Sequence, residues 1–300
     1  SALPTTRHFA TSQVVNLRDK LFMIDCGEGA QMQLRKSRLK FSRLNHIFIS
    51  HLHGDHFFGL IGFLSTLSLQ GRRGEMHIYA EPRLQELIGC QMKILHSRFT
   101  FPLFFHALSR REEVIYEDKV VTVTAFPLKH HYDTPVSGFL FREKERERTI
   151  LKDRTAAWNV PIAFMQYLKR GEDFITPEGE IVANELLTVA PPPARSFAYM
   201  TDTLFRERFA DYVRGVDLLY HEATYMNADA VLAKESYHST TGQAARIAEL
   251  AGVGKLLLGH FSARYTECSE LLAEAREVFP NTFLCSDGDL FEVPAVKRRS

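Results

Sequence analysis

Six consecutive residues, "HLHGDH" at 51–56, hold three histidines and one aspartate. They follow the apolar run "HIFIS" (46–50) and precede another, "FFGL". Imidazole and carboxylate are good ligands for zinc and similar divalent ions. In extended chain His51 and His53 lie two residues apart and point the same way. Gly54 permits a tight turn, after which Asp55 and His56 can address a second point in space. A lone HxH is often accidental, but HxHxDH directly after a buried strand is a specific signal for a metal site.

One loop cannot complete two tetrahedra, so further ligands must come from other strand ends. "AFPLKHH" supplies His130 or His131, "AYMTDT" supplies Asp202 and "KLLLGHF" supplies His260. Each follows an apolar strand, and layered α/β proteins place their sites at such carboxyl ends. His8, His46, His77, His96 and His106 read as ordinary surface or half-buried residues.

The elements that must position these ligands are legible as short apolar runs. Strands are expected at 20–25, 46–50, 76–80, 119–126, 136–141, 196–202, 217–223, 255–260 and 282–287. Several are continuous rather than alternating, as in a sheet covered on both faces. Helices are expected at 30–38, 56–70, 82–95, 241–251 and 269–278. The fold class is therefore α/β, in layers. The chain has 300 residues, 45 % of them hydrophobic, enough for one large domain or two small ones, and its formal net charge of +1 excludes a global nucleic-acid-binding field. Basic clusters are local: 35–43, "GRRG" (71–74) and "KRRS" (297–300). Four scattered cysteines without a CxxC pair suit a reducing compartment, and no apolar run is long enough to span a bilayer.

From Arg142 to Ala194 the chain turns charged ("REKERERT", "LKRGEDF") and runs into "APPPAR". It interrupts the strand rhythm, either as a surface excursion with a helix at about 155–169 or as an extended arm that reaches a partner.

HxHxDH followed by a strand-end His, an Asp and a His resembles the metallo-β-lactamase superfamily. "HEAT" (221–224), "HST" (238–240), "GHFSARY" (259–265), "DCGEGAQ" (25–31) and "PTTRH" (4–8) together resemble the ribonuclease Z family within it. The resemblance implies one domain over 1–300, an αβ/βα four-layer sandwich, with an arm-like insertion at about 142–194. It implies two zinc ions per chain, with Mn²⁺ or another divalent ion as a substitute. His51, His53 and His130 would hold one, Asp55, His56 and His260 the other, and Asp202 would bridge.

It further implies a cytoplasmic endoribonuclease that removes the 3′ trailer of precursor tRNA by metal-hydroxide attack, leaving a 3′-hydroxyl on the tRNA and a 5′-phosphate on the trailer. Asp55 would take or steer the nucleophile's proton. His238 would protonate the leaving oxygen, Glu222 would orient His238, and Arg264 would contact phosphate. A homodimer is implied, with the arm of one subunit serving the other. Two departures stand out: the family's Gly-Pro-rich arm tip is replaced by "NVPIAFMQYLKRG" (159–171), and the family's first strand and Gly-Thr-Gly-like turn are not in the sequence. His221 reads as a residue that supports the site from behind or simply packs, outside the catalytic set, and Asp25 and Glu28 read as parts of a Gly-rich turn. The alternatives are a small-molecule phosphodiesterase or sulfate-ester hydrolase on the same binuclear fold, and a catalytically dead tRNA-binding protein.

Overall fold

A computed structural model describes residues 8–293. "KRRS" and most of "PTTRH" lie outside the described residues. The chain divides into two compact units, one formed by 8–142 with 196–293 and one by 143–195.

The larger unit holds two sheets. The first has the order Gln13–Leu17, Lys20–Ile24, Leu44–Phe48, Met76–Ala80, Leu103–Ala107; its first pair is antiparallel and the rest are parallel. The second has the order Thr282–Leu284, Leu256–Gly259, Leu218–Glu222, Ser196–Met200, Pro135–Glu143, Val121–Lys129, Glu113–Glu117. Its first four strands are mutually parallel.

Side-chain alternation explains how these sheets stack. In the first sheet Phe22, Ile24, Phe48 and Tyr79 face Val121, Val123, Phe139, Phe141, Tyr199 and Leu257 of the second, and all are buried in one cluster. Their neighbours Leu21, Met23 and Ile47 turn the other way, against Leu34, Leu60, Phe63 and Leu84 from the helices Ala30–Lys36, Leu60–Leu69 and Arg83–Ile94. On the second sheet Ala198, Leu219, Leu256 and Leu258 pack on Ala244, Ile247 and Ala248 of the helix Thr241–Ala251. Period-2 alternation with both faces apolar gives helix, sheet, sheet, helix. The helix Thr241–Ala251 starts on a capping box between Thr240 and Gln243 and ends at left-handed Gly252.

All nine expected strands are present. The three longer ones that were missed, Gln13–Leu17, Leu103–Ala107 and Glu113–Glu117, are edge strands with mixed polarity. The expected helix 56–70 is broken into Gly54–Phe57 and Leu60–Leu69. The cause is competition for its backbone. Thr11 N–H donates to Asp55 O at 3.0 Å, Cys26 N–H to His56 O at 2.7 Å, and Gly59 N–H to Cys26 O at 2.9 Å. These bonds pin the ligand loop to the "DCG" turn. The expected helix at about 155–169 is also broken, into Lys152–Ala157, Ile162–Phe164 and Met165–Lys169, around Pro161.

The 143–195 unit has its own core of Val160, Leu168, Phe174, Val182 and Leu187. The segment, expected as a surface excursion or an extended arm, forms a compact unit of its own. Buried Asn184 secures it, donating to Leu168 O and Glu172 O at 2.8 Å each. Its flanking residues Arg142 and Ser196 are register partners on neighbouring antiparallel strands, so the segment leaves and re-enters the sheet at one point.

Gly59 leaves no room for a side chain: a Cβ there would stand 2.1 Å from Gly27 O. Gly59→Ala is expected to lower unfolding free energy by about 1–3 kcal/mol and to weaken metal retention against a chelator. Denaturant titration checks the first; wild-type stability would show that the contact is dispensable.

Candidate metal centre

The ligand candidates gather from four strand ends. His51 and His53 follow the strand Leu44–Phe48, and Asp55 and His56 belong to the short helix Gly54–Phe57. His130 follows Val121–Lys129, Asp202 follows Ser196–Met200 and His260 follows Leu256–Gly259. Two groups result. His51, His53, His130 and Asp202 have ligand atoms within 4.8 Å of one another, and so do Asp55, His56, Asp202 and His260. Asp202 belongs to both. His130 is the buried member of its pair, whereas the side chain of His131 is 57 % exposed and bonds Asp133.

Four of the five imidazoles are oriented through Nδ1. His51 donates to Ser50 Oγ at 3.1 Å, His56 to Asp25 Oδ2 at 2.7 Å, His130 to Tyr237 O at 2.9 Å and His260 to Thr224 Oγ1 at 3.1 Å. The Nε2 lone pairs are thereby aimed inward. His51 Nε2 and His56 Nε2 are buried with no hydrogen-bond partner, 3.6 and 3.2 Å from oxygens of Asp202. Lone pairs and carboxylates converging in a buried space repel unless a cation lies between them. The donor set fits a divalent metal.

The electrostatics agree. Burial opposes charge on His56, but the Asp202 and Asp25 carboxylates outweigh it and lift its pKa well above the ordinary value. Burial likewise opposes ionisation of Asp202, yet His260, His56 and His51 hold its pKa well below the ordinary value. His51, by contrast, is pushed down by burial and by His56. A site that draws protons into such a cluster draws a metal cation for the same reason. Asp55 differs from Asp202 in access: its side chain is 17 % exposed against 3 %.

Beside the second group, Glu222 is fully buried and saturated. It accepts from Thr203 N, Ser239 N and His238 Nδ1 on one oxygen and from Thr224 N and Thr224 Oγ1 on the other. With its lone pairs used, it holds a ring rather than a metal. His238 Nδ1 lies 3.1 Å from Glu222 Oε1. Burial disfavours the imidazolium, but Glu222 overrides it and raises His238 to about 9. The Glu222 carboxyl moves the other way, to about 2, with His238 overcoming burial.

Arg264 is engaged elsewhere: it pairs with Asp229 at 3.1 Å and lies over the Tyr225 ring at 5.4 Å. His221 is buried, its Nδ1 2.6 Å from Glu222 O, in line with its reading as a supporting or packing residue. Glu28 is exposed, whereas Asp25 is more than a turn residue. It accepts from Ser50 N, Ser50 Oγ, His56 Nδ1 and Tyr199 Oη, at 2.7, 2.9, 2.7 and 2.7 Å. The signal was present: like Asp202, it follows an apolar strand.

Across 288 residues the chain is 55 % identical to the Ribonuclease Z of Bacteroides fragilis strain YCH46, covering 96 % of this chain and 94 % of that one. The chain belongs to the ribonuclease Z family. The Ribonuclease Z of Porphyromonas gingivalis strain W83 is 45 % identical over the same shares. The crystal structure of the short form of human tRNase Z is similar with a TM-score of 0.68 and 27 % identity, over 97 % of this chain and 95 % of that one. The metallo-β-lactamase fold protein YhfI of Bacillus subtilis, at 18 % identity and a TM-score of 0.65, shows the same fold over 95 % and 92 % of the two chains. A family model described as Anti-Pycsar protein Apyc1 also matches, over residues 1–157. That match includes the metal loop and His130 but stops before Asp202, Glu222, His238 and His260.

Asp25→Asn keeps the shape but leaves the carboxylate's donors short of an acceptor. It is expected to weaken metal affinity about 10- to 100-fold, read by competition with a chromophoric chelator. Unchanged affinity would show that His56 needs no such support.

Proposed function

We infer that this ribonuclease Z is a zinc-dependent endoribonuclease that removes the 3′ trailer from precursor tRNA, leaving a 3′-hydroxyl on the tRNA and a 5′-phosphate on the trailer. One observation carries this reading: two ligand groups sharing Asp202 lie beside a Glu222–His238 pair poised to deliver a proton. Two zinc ions per chain are supported by the donors, three histidines and a carboxylate in one group and two histidines and two carboxylates in the other. Manganese would suit the second, oxygen-richer group.

When bound, such a metal pair supplies Lewis acidity that lowers the pKa of water and neutralises charge on the phosphoryl oxygens. The chain's own groups manage the protons. Asp55, the accessible carboxylate, receives the proton of the attacking water. As that oxygen bonds to phosphorus, the bond to the tRNA 3′ oxygen breaks. His238, held by Glu222 through Nδ1, gives its Nε2 proton to that oxygen. Arg264 would serve as a phosphate contact by exchanging Asp229 for substrate, since a guanidinium matches phosphate geometry.

The insertion at 143–195 we assign to gripping tRNA, within a homodimer in which it serves the partner's site. The family resemblance and the exposed side chains of Ile162, Ile175 and Ile181 support this. Among the described residues no helix is long and apolar enough to cross a membrane. The four free cysteines support a cytoplasmic location.

Incubation with a trailer-bearing precursor tRNA and mapping of the cut tests the activity; intact RNA alongside hydrolysis of bis-p-nitrophenyl phosphate would favour a small-molecule phosphodiesterase instead. His238→Ala is expected to lower kcat on precursor tRNA by about 10²–10⁴ while largely sparing bis-p-nitrophenyl phosphate, whose leaving group needs no proton. Because the acid form is required, wild-type kcat on RNA should fall as pH rises past the pKa of His238, a limb missing in His238→Ala. Equal losses on both substrates would remove the acid role. Replacing 143–195 by a two-residue turn between Arg142 and Ser196 should raise KM for precursor tRNA, and an unchanged KM would rule out the grip.

A further inference from the structure

Beyond the ligands and the acid, the rim of the site carries aromatic side chains that the core does not explain. The strand Val121–Lys129 delivers His130 and then turns, with Thr134 N–H donating to His131 O at 3.2 Å. Tyr132 stands at the tip of this turn with 81 % of its surface exposed. The His131 ring lies 6.5 Å from Tyr132 and 5.7 Å from Tyr237. Lys129 Nζ sits 5.7 Å from the centre of the Tyr237 ring.

Tyr237 is itself tied to the chemistry. Its carbonyl accepts from Nδ1 of the ligand His130 at 2.9 Å, and it immediately precedes His238. Its backbone is left-handed, with φ 59°, a conformation a tyrosine adopts only under constraint. Two tyrosines, a histidine and a lysine thus border one side of the metal centre. Asp133 is the carboxylate in this turn, and it is occupied by His131 Nδ1 at 2.8 Å.

Exposed ring faces beside a phosphate-cleaving centre have an evident use. Single-stranded RNA is held largely by stacking of splayed bases on aromatic side chains, with cations on the backbone. We propose that Tyr132, with His131 and Tyr237 behind it, stacks a nucleobase next to the scissile phosphate, and that Lys129 contacts the adjoining phosphate. This rests on the RNA-cleaving reading above and deepens it: Tyr132 becomes a residue that selects an unpaired nucleotide at the cut. A small phosphodiester without a base would gain nothing from it.

The experiment measures kcat/KM of the metal-loaded enzyme on precursor tRNA for wild type, Tyr132→Ala and Tyr132→Phe. Each is assayed on intact RNA and on RNAs made abasic at the nucleotide on either side of the cut. Tyr132→Ala should lose about 5- to 100-fold on intact RNA, chiefly in KM, and Tyr132→Phe should recover most of it. On one of the two abasic RNAs the difference between Tyr132→Ala and wild type should vanish. A Tyr132→Ala loss of less than about twofold overturns the proposal, as does a loss that persists on both abasic RNAs. A wild-type enzyme that leaves precursor tRNA uncut overturns the RNA reading itself, and this outcome is distinct from the other two.

Discussion

The structure turns on one shared carboxylate. Asp202 comes from the second sheet, yet it faces His51 and His56 from the first and His260 from a third strand end. Neither sheet contains a complete site. The aromatic layer between them, Phe48 on Phe139 and Tyr199 on Tyr220 among others, therefore also sets metal geometry. Ligands held within a few tenths of an ångström need rigid supports, and strands buried on both faces are the stiffest supports available to a chain of this size.

Around that carboxylate the molecule repeats one device: a buried acid or hydroxyl fixes the far nitrogen of a histidine. Asp25 does so for His56, Thr224 for His260 and Glu222 for His238. The outcomes differ with the remaining environment. His56 and His260 turn their Nε2 atoms toward the Asp55 and Asp202 carboxylates, as metal ligands would need. His238 is held instead by Glu222, which favours its protonated form, as an acid would need. Thr224 joins the two uses, since its hydroxyl donates to Glu222 while receiving His260.

The ligand set was legible because metal chemistry admits few residue types and HxHxDH is compact. Asp202 and His260 could be found because each follows an apolar strand. The supporting residues were harder to see. Asp25 meets Ser50 across 25 residues and Tyr199 across 174, distances over which a sequence carries no local pattern. The resemblance to the family pointed to Glu222 and His238, and their contact agrees with the expected orientation. The split of the helix at 56–70 was hidden because its cause is non-local: carbonyls that would continue the helix are taken by Thr11 and Cys26. The insertion at 143–195 was recognisable by charge, but not its core, whose apolar residues are too few and too scattered to show periodicity.

Asp25, Asp202 and His260 share a backbone feature: all have positive φ, at 57°, 40° and 59°. Residues with a Cβ disfavour this region by roughly 1–2 kcal/mol each. Each lies where a strand must stop abruptly so that its side chain meets the others. Glycine would relax the backbone at any of the three positions and would remove the chemistry. A substitution that stabilised the backbone here would thus cost the centre a candidate ligand, Asp202 or His260, or the carboxylate that orients His56. The three positive φ angles are backbone strain held at the site by the packed strands around it, stability given up for chemistry.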